Sequence, residues 1–210
     1  MKYLYIDTSS NYLYSGIVSN NKLVIEVKKR LDQNLSRDSV PLIAKMFNDA
    51  NIEVKDINKI IVVDGPGSFT GIRIGITIAK VYAYSMNIDI TTISSLEAMA
   101  VSTNISNYLV PVIDARRECV YTAIYDNDMN EVLKPGHIQL SRLLTELEKL
   151  EDYTIISNDN IEKLANIEKY NPNIETIVLK YKDKTNINPH DINPNYLKLT
   201  EAEEKLNNND

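Results

Sequence analysis

The 210-residue sequence has no tryptophan, two phenylalanines, one cysteine and two histidines. A single cysteine, Cys119, excludes a disulfide framework and a cysteine-built metal site, and it reads as a small apolar core residue. His137 and His190 stand far apart beside glycine or proline. They form no H-E-x-x-H and no pair at helical spacing, so no histidine metal site is expected. No apolar run approaches the roughly 18 residues of a membrane span. Met1 to Asp7 runs straight into a strand pattern with no signal peptide, so the cytoplasm is the expected compartment. Positive charge is in deficit too: 23 Lys and Arg against 29 Asp and Glu give a net charge of −6. Gripping nucleic acid alone takes a basic patch. Contact with RNA is therefore expected only through a more basic partner.

What is there is organised around Asp64-Gly65-Pro66-Gly67-Ser68-Phe69-Thr70-Gly71-Ile72-Arg73-Ile74-Gly75. Lys59 to Val63 before it is a β-branched run of strand length, and Ile76 to Asn87 after it has helical spacing without proline. The chain should leave a buried strand, turn on two glycines around a proline, and start a helix. Gly65 and Gly67 allow positive φ or close backbone approach. Ser68 or Thr70 can cap the helix. The loop is either an anion cradle at a helix start or simply a tight connection. It has no Walker lysine and does not match G-x-G-x-x-G. Gly71, Gly75, Ala79 and Ala83 recur every fourth residue and form one stripe of small side chains. That stripe suits close approach by another helix or by the chain's own sheet.

Around this stretch the pattern is α/β. Strands are expected at Lys2 to Asp7, Tyr12 to Ser19 and Leu23 to Lys28. A helix is expected over Ser36 to Ala50, and Pro41 should hold its start near Asp38 to Val40. A strand at Ile90 to Ile93 precedes a helix opened by Ser94 with Glu97, a capping box. From Leu109 the pattern restarts. Ile6-Asp7-Thr8 aligns with Ile113-Asp114-Ala115, and Tyr14 to Val18 with Tyr121 to Tyr125, at a constant offset of 107. A repeat of strand, aspartate, turn and strand suggests two lobes of related topology, split at 1–104 and 105–210. In the second lobe Glu131 to Leu140 should be extended. Ser141 should cap a helix carrying Leu143, Leu144, Leu147 and Leu150. Tyr153 to Ile156 reads as a strand, Asn160 to Glu168 as a short helix, and Glu175 to Leu179 as a strand. From Thr185 onward the chain reads as loop, with Tyr196-Leu197-Lys198 as a docking point and frayed residues after Glu201.

The run G-P-G-S-F-T-G-I-R-I-G resembles the signature of the bacterial TsaB family, also called YeaZ, and the resemblance covers most of Met1 to Tyr125. It implies a two-lobed α/β fold of the actin and sugar-kinase type. It also implies a non-catalytic partner in making threonylcarbamoyladenosine on tRNA, beside the anticodon. The partners would be a TsaD-like catalytic subunit and a TsaE-like ATPase, with a homodimer when the subunit is alone. The docking element expected on this basis is the helix from Gly71, through Ile72, Gly75, Ile76, Ala79 and Ala83. Pro41, Ile43 and Phe47 of the preceding helix would help it.

The same architecture makes Asp7 and Asp114 candidates to position Mg²⁺ and a nucleotide across a cleft, with Ser9, Gly65, Gly67 and Ser68. The alternative for both aspartates is turn capping. If they do hold Mg-ATP, the chain would be a kinase or ATPase of this fold. Family members often carry a Gly-Asp-Gly-like turn in the second lobe. Here it is Ser157-Asn158-Asp159-Asn160, which argues against nucleotide in the isolated subunit and leaves ATP or ADP with Mg to a complex interface. The family's Asn-His-Ser-Glu-Arg segment reads Asn34-Leu35-Ser36-Arg37-Asp38, and Cys119 replaces a usual glutamate after Asp114-Ala115-Arg116. A peptidase role would need zinc ligands that this sequence does not supply.

Overall fold

The computed structural model describes residues 1–103 and 105–197. Each half of the chain builds a five-stranded sheet, and the two sheets have the same strand order. The first contains β1 (Lys2–Asp7), β2 (Tyr12–Ser19), β3 (Lys22–Arg30), β4 (Lys59–Gly65) and β5 (Asp89–Ser94). Its order is β3-β2-β1-β4-β5, with an antiparallel hairpin pair on one side of β1 and parallel β4 and β5 on the other. The second contains β6 (Tyr108–Asp114), β7 (Cys119–Asp126), β8 (Glu131–Gln139), β9 (Tyr153–Ser157) and β10 (Ile167–Lys169). Its order is β8-β7-β6-β9-β10, again antiparallel on one side of β6 and parallel on the other. The repeat seen at offset 107 is therefore a repeat of topology, and the molecule has the two-lobed α/β architecture of the actin and sugar-kinase type.

Among the described residues, five α-helices fill the layers. α1 (Leu35–Ala50) and α2 (Phe69–Met86) cover the outer face of the first sheet. α4 (Leu140–Leu147) covers the outer face of the second. Between the sheets lie α3 (Ser95–Val101) and α5 (Ile174–Tyr181). Strand alternation divides the work: Leu4 and Ile6 face the outer helices, while Tyr3 and Tyr5 face the inter-lobe core. The chain after β10 returns to the first lobe. Glu175 accepts the Leu23 N–H at 2.7 Å, Ile187 N–H donates to the Ile90 carbonyl at 2.8 Å, and Ile192 is buried in the outer core. Residues 184–197 thus form a strap along the open edge of β5.

Local expectations fail in four places. Pro41 does not set the start of α1, which begins at Leu35 and carries the proline inside. Pro41 lies on the exposed side of the helix, where water can take the carbonyl left unpaired. Ser141 does not cap α4. Gln139 holds that position with no side-chain cap, and the Leu140 N–H instead donates to the Glu118 carbonyl at 2.8 Å. The expected helix over Asn160 to Glu168 is a turn followed by β10, whose parallel pairing with β9 completes the sheet. The expected strand at Glu175 to Leu179 is α5. Ile174, Ile177, Val178 and Tyr181 have helical spacing, and Asn173 caps Thr176 N–H at 3.1 Å, which outweighs the β-branched composition. Of the expected terminal docking point, Tyr196 and Leu197 are described. Lys198 and the residues beyond it lie outside the described set.

Candidate functional site

The glycine loop is folded onto the first β-turn of the chain. Gly65 and Gly67 both have positive φ, at 119° and 153°, and the peptide between Gly65 and Pro66 is cis. A side chain on Gly67 would run into the Ser9 carbonyl, and one on Gly65 would run into the Asn195 carbonyl. Ser68 N–H donates to the Ser9 carbonyl at 2.7 Å, and the Ser95 hydroxyl to the Pro66 carbonyl at 2.5 Å. Ser68 is the N-cap of α2, its hydroxyl accepting from Gly71 N–H at 3.2 Å. The Ser68 and Gly71 N–H groups are thus used within the protein.

The small stripe of α2 faces inward. Gly71, Ile72, Gly75, Ile76, Ala79 and Ala83 are all buried. A Cβ on Gly71 would strike the Thr8 carbonyl, and one on Gly75 the Thr8 hydroxyl. The stripe is there because α2 lies directly against the end of β1, with the Thr8 hydroxyl donating to the Gly71 carbonyl at 2.7 Å. Ile43 and Phe47 are buried in the same outer core. Of the side chains expected to meet a partner, only Pro41 is exposed. The small stripe is occupied by the chain's own sheet.

The opposite side of the same two helices is open and apolar. Val40 is 48% exposed, Phe69 57%, Val81 56% and Tyr84 71%, which is high for side chains of this type. Between α1 and α2 runs a groove of about 420 Å³, lined by Ser36, Val40, Thr70, Arg73, Ile74 and Thr77, with Phe69 at its end. The signal for this face was present in the sequence: α2 is apolar nearly all round, yet it lies on the outside of a sheet.

A second cavity, of about 630 Å³, opens between the lobes. It brings together Ser9, Gly67, Ser68 and Asp114 with Asn158 and Asp159 of the second-lobe turn marked in the sequence, and adds Ser95, Tyr121 and Tyr170, which the sequence did not single out. Asn158 and Asp159 follow β9, the second sheet's counterpart of β4. Two expected members do not line it. Gly65 is packed beneath Asn195 and Ile72, and Asp7 is only 2% exposed. Asp7 Oδ1 accepts from Ser9 N–H at 2.8 Å and Oδ2 from the Tyr5 hydroxyl at 3.4 Å. Burial raises the pKa of this carboxyl, and the bonds from Ser9 and Tyr5 partly oppose the shift. Asp114 Oδ1 accepts from Arg116 N–H at 2.8 Å in the equivalent turn. Both aspartates are therefore turn caps, one sealed and one open to the cleft. Asp159 Oδ2 accepts from Asp114 N–H at 2.8 Å, and burial raises its pKa.

The rim beside Asp114 is held in an uncommon backbone. Arg116, Arg117 and Glu118 have φ of 65°, 51° and 57°, three consecutive non-glycine residues in the left-handed region. Cys119 N–H closes this turn onto the Arg116 carbonyl at 3.0 Å.

A family model described as "TsaD: tRNA N6-adenosine threonylcarbamoyltransferase" matches residues 27–189. The tRNA threonylcarbamoyladenosine biosynthesis protein TsaB of Bacillus subtilis is 31% identical over 98% of this chain and 97% of its own length. The chain belongs to the TsaB family. The TsaB protein of Buchnera aphidicola from Acyrthosiphon pisum is 26% identical over 87% of this chain and 91% of its own. The solved YeaZ of Pseudomonas aeruginosa superposes with a TM-score of 0.78 at 16% identity, covering 93% of this chain and all of that one. That likeness concerns the fold. It agrees with the paired sheets described above.

Proposed function

We propose that this TsaB-family chain is the non-catalytic partner subunit for threonylcarbamoyl transfer to tRNA adenosine beside the anticodon. It would dock a TsaD-like catalytic subunit. The observation that carries the docking reading is the open groove between α1 and α2, with Val40 and Phe69 about half exposed. Apolar side chains held outward on two rigid helices gain most by receiving helices from a partner, in a bundle of four. The same surface is self-complementary in principle and would give a homodimer when the partner is missing. A TsaE-like ATPase would join the assembly, tRNA would be reached only through it, and its place of work would be the cytoplasm. With a net charge of −6 this subunit is poorly suited to hold tRNA alone.

Nucleotide belongs to the same proposal only at an interface. In a kinase or ATPase reading, Asp7 and Asp114 would both present oxygens to Mg²⁺. Asp7 is sealed under Ser9, so the isolated cleft offers Asp114 and Asp159 but not the facing pair. ATP or ADP with Mg is accordingly assigned to the assembled complex. Titration calorimetry of the isolated chain with Mg-ATP separates the readings: micromolar binding with turnover would establish the kinase.

The docking experiment is co-expression with a TsaD-like subunit followed by size-exclusion chromatography. Val40→Asp combined with Thr77→Arg should abolish co-elution while leaving the melting temperature within a few degrees, because both side chains are exposed. Undiminished co-elution of that double variant removes the groove from the interface.

A further inference from the structure

The groove carries one charge. Its other lining side chains are Ser36, Val40, Phe69, Thr70, Ile74, Thr77 and Ile78, and only Arg73 is ionised. The nearby Arg37 is already paired with Asp38 at 2.7 Å, and Arg30 with Asp32 at 2.9 Å. Arg73 has no carboxylate within ion-pair distance among the described residues. Its contacts there are two aromatic rings. The guanidinium lies 3.6 Å over the centroid of Phe69, one helical turn earlier on α2, and 5.8 Å from that of Tyr196. Tyr196 in turn stacks on Phe69 as an offset pair, with ring centroids 5.4 Å apart and planes at 20°.

This is an unusual way to keep an exposed arginine. A free surface arginine samples many rotamers and gives up that freedom when it pairs. Here the side chain is already laid across a ring at the groove's end, with its planar fork of donors unused by any carboxylate. A cation held still beside an apolar trough is complementary to an amphipathic helix that carries a carboxylate at the matching position.

We propose that Arg73 is the charge-reading residue of the docking face, pairing with an Asp or Glu on the partner's helix, and that Tyr196 positions it. The inference rests on the docking reading above and names its specificity element. Tyr196 belongs to the C-terminal strap, far in sequence from α2. The strap is fixed at this point by Asn195 N–H donating to the Asp64 carbonyl at 2.8 Å. The last described turn of the chain thereby takes part in recognition at its first long helical pair. The Tyr196 hydroxyl is buried and has no hydrogen-bond partner among the described residues, so the ring and not the hydroxyl does the positioning.

The test is the affinity of the full chain for a purified TsaD-like subunit, measured at several NaCl concentrations. Arg73→Glu should weaken binding by about a hundredfold, and Arg73→Lys by less, since an ammonium cannot form the two-pronged pair. Arg73→Met should flatten the dependence of affinity on salt. Tyr196→Ala should weaken binding about fivefold through loss of the support for Arg73, whereas Tyr196→Phe should bind like the parent. Val40→Asp serves as the reference for the docking reading. If Val40→Asp abolishes binding while Arg73→Glu binds normally with unchanged salt dependence, docking stands and the role of Arg73 is overturned. If neither variant matters, the docking reading itself has failed. If Arg73→Glu disrupts only self-association seen by sedimentation, the groove's occupant is a second copy of this chain, and the proposal of an acidic partner helix falls.

Discussion

The Thr8 hydroxyl occupies the space that a side chain on Gly75 would need, and from there it donates to the Gly71 carbonyl at 2.7 Å. One threonine at the end of β1 thus dictates two glycines on α2. A glycine inside a helix is ordinarily about 1 kcal/mol worse than alanine. Here that penalty is offset by helix-to-strand packing closer than any Cβ allows.

Gly75→Ala should therefore destabilise the fold, by about 1–3 kcal/mol as an overpacked site, instead of acting on partner binding. Gly75→Leu should fail to accumulate as folded protein. Thr8→Ala combined with Gly75→Ala should cost less than the sum of the single changes, since removing the hydroxyl frees the space. Denaturant melts of the four proteins measure this. Strict additivity would separate the two residues.

Asp64 should give the protein an acid-side stability maximum. Its Oδ1 is buried without a hydrogen-bond partner among the described residues, and burial pushes its pKa up to about 6, with Glu97 adding to the rise and Thr92 and Lys184 opposing it. The ordinary value is 3.8, so the folded form holds its proton over a range where the unfolded form is ionised. Stability then falls as pH rises from about 4 to 6 and levels off above that, by at most about 3 kcal/mol from this group. Asp7 and Asp159 are shifted the same way, so the diagnostic is a difference. Asp64→Asn should lose part of the fall in melting temperature between pH 4 and pH 6.5. Parallel curves for parent and variant would remove Asp64 as the cause.

Arg117→Gly should stabilise. Arg117 has φ of 51° in the middle of the left-handed turn and its side chain is exposed. A left-handed conformation costs a residue with a Cβ about 1 kcal/mol, which glycine avoids. The expected gain is about 1 kcal/mol less the extra unfolded-state entropy of glycine, read as a rise of a few degrees in melting temperature.

The strap should be a stability element of the first lobe. Ile192 is 3% exposed in the outer core, and Lys80 donates to the carbonyls of His190 and Ile192, the latter at 3.1 Å. Ile192→Ala should cost about 2–4 kcal/mol by leaving a cavity. Lys59 also reaches the strap through the Lys184 carbonyl. Hydrogen exchange at the Ile187 amide should accelerate in the Ile192 variant, because that amide closes the edge of β5. Unchanged exchange would mean the strap holds without Ile192.

Much of this was written in local sequence. β-Branched apolar runs of strand length marked strands such as β4, Ser94 with Glu97 marked the start of α3, and the 107-residue offset marked the second sheet. Those features depend on neighbours along the chain and on residue type over a short window. The strap's aromatic contact was foreseeable from Tyr196, but its target, Phe69, was not.

Which face of α2 is covered was a tertiary decision. Gly71, Gly75, Ala79 and Ala83 are equally good for a foreign helix or for the chain's own strand, and nothing local distinguishes the two. The position of Thr8 settled it, by bringing β1 so near that only glycine fits. The fate of Asp7 and Asp114 was decided the same way: each ends the first strand of its sheet and caps its own turn, yet one is buried and the other is left open at the cleft. Residue type and spacing set what each element is. Burial is a property of what arrives on top of it, and that depends on contacts between segments far apart in the chain.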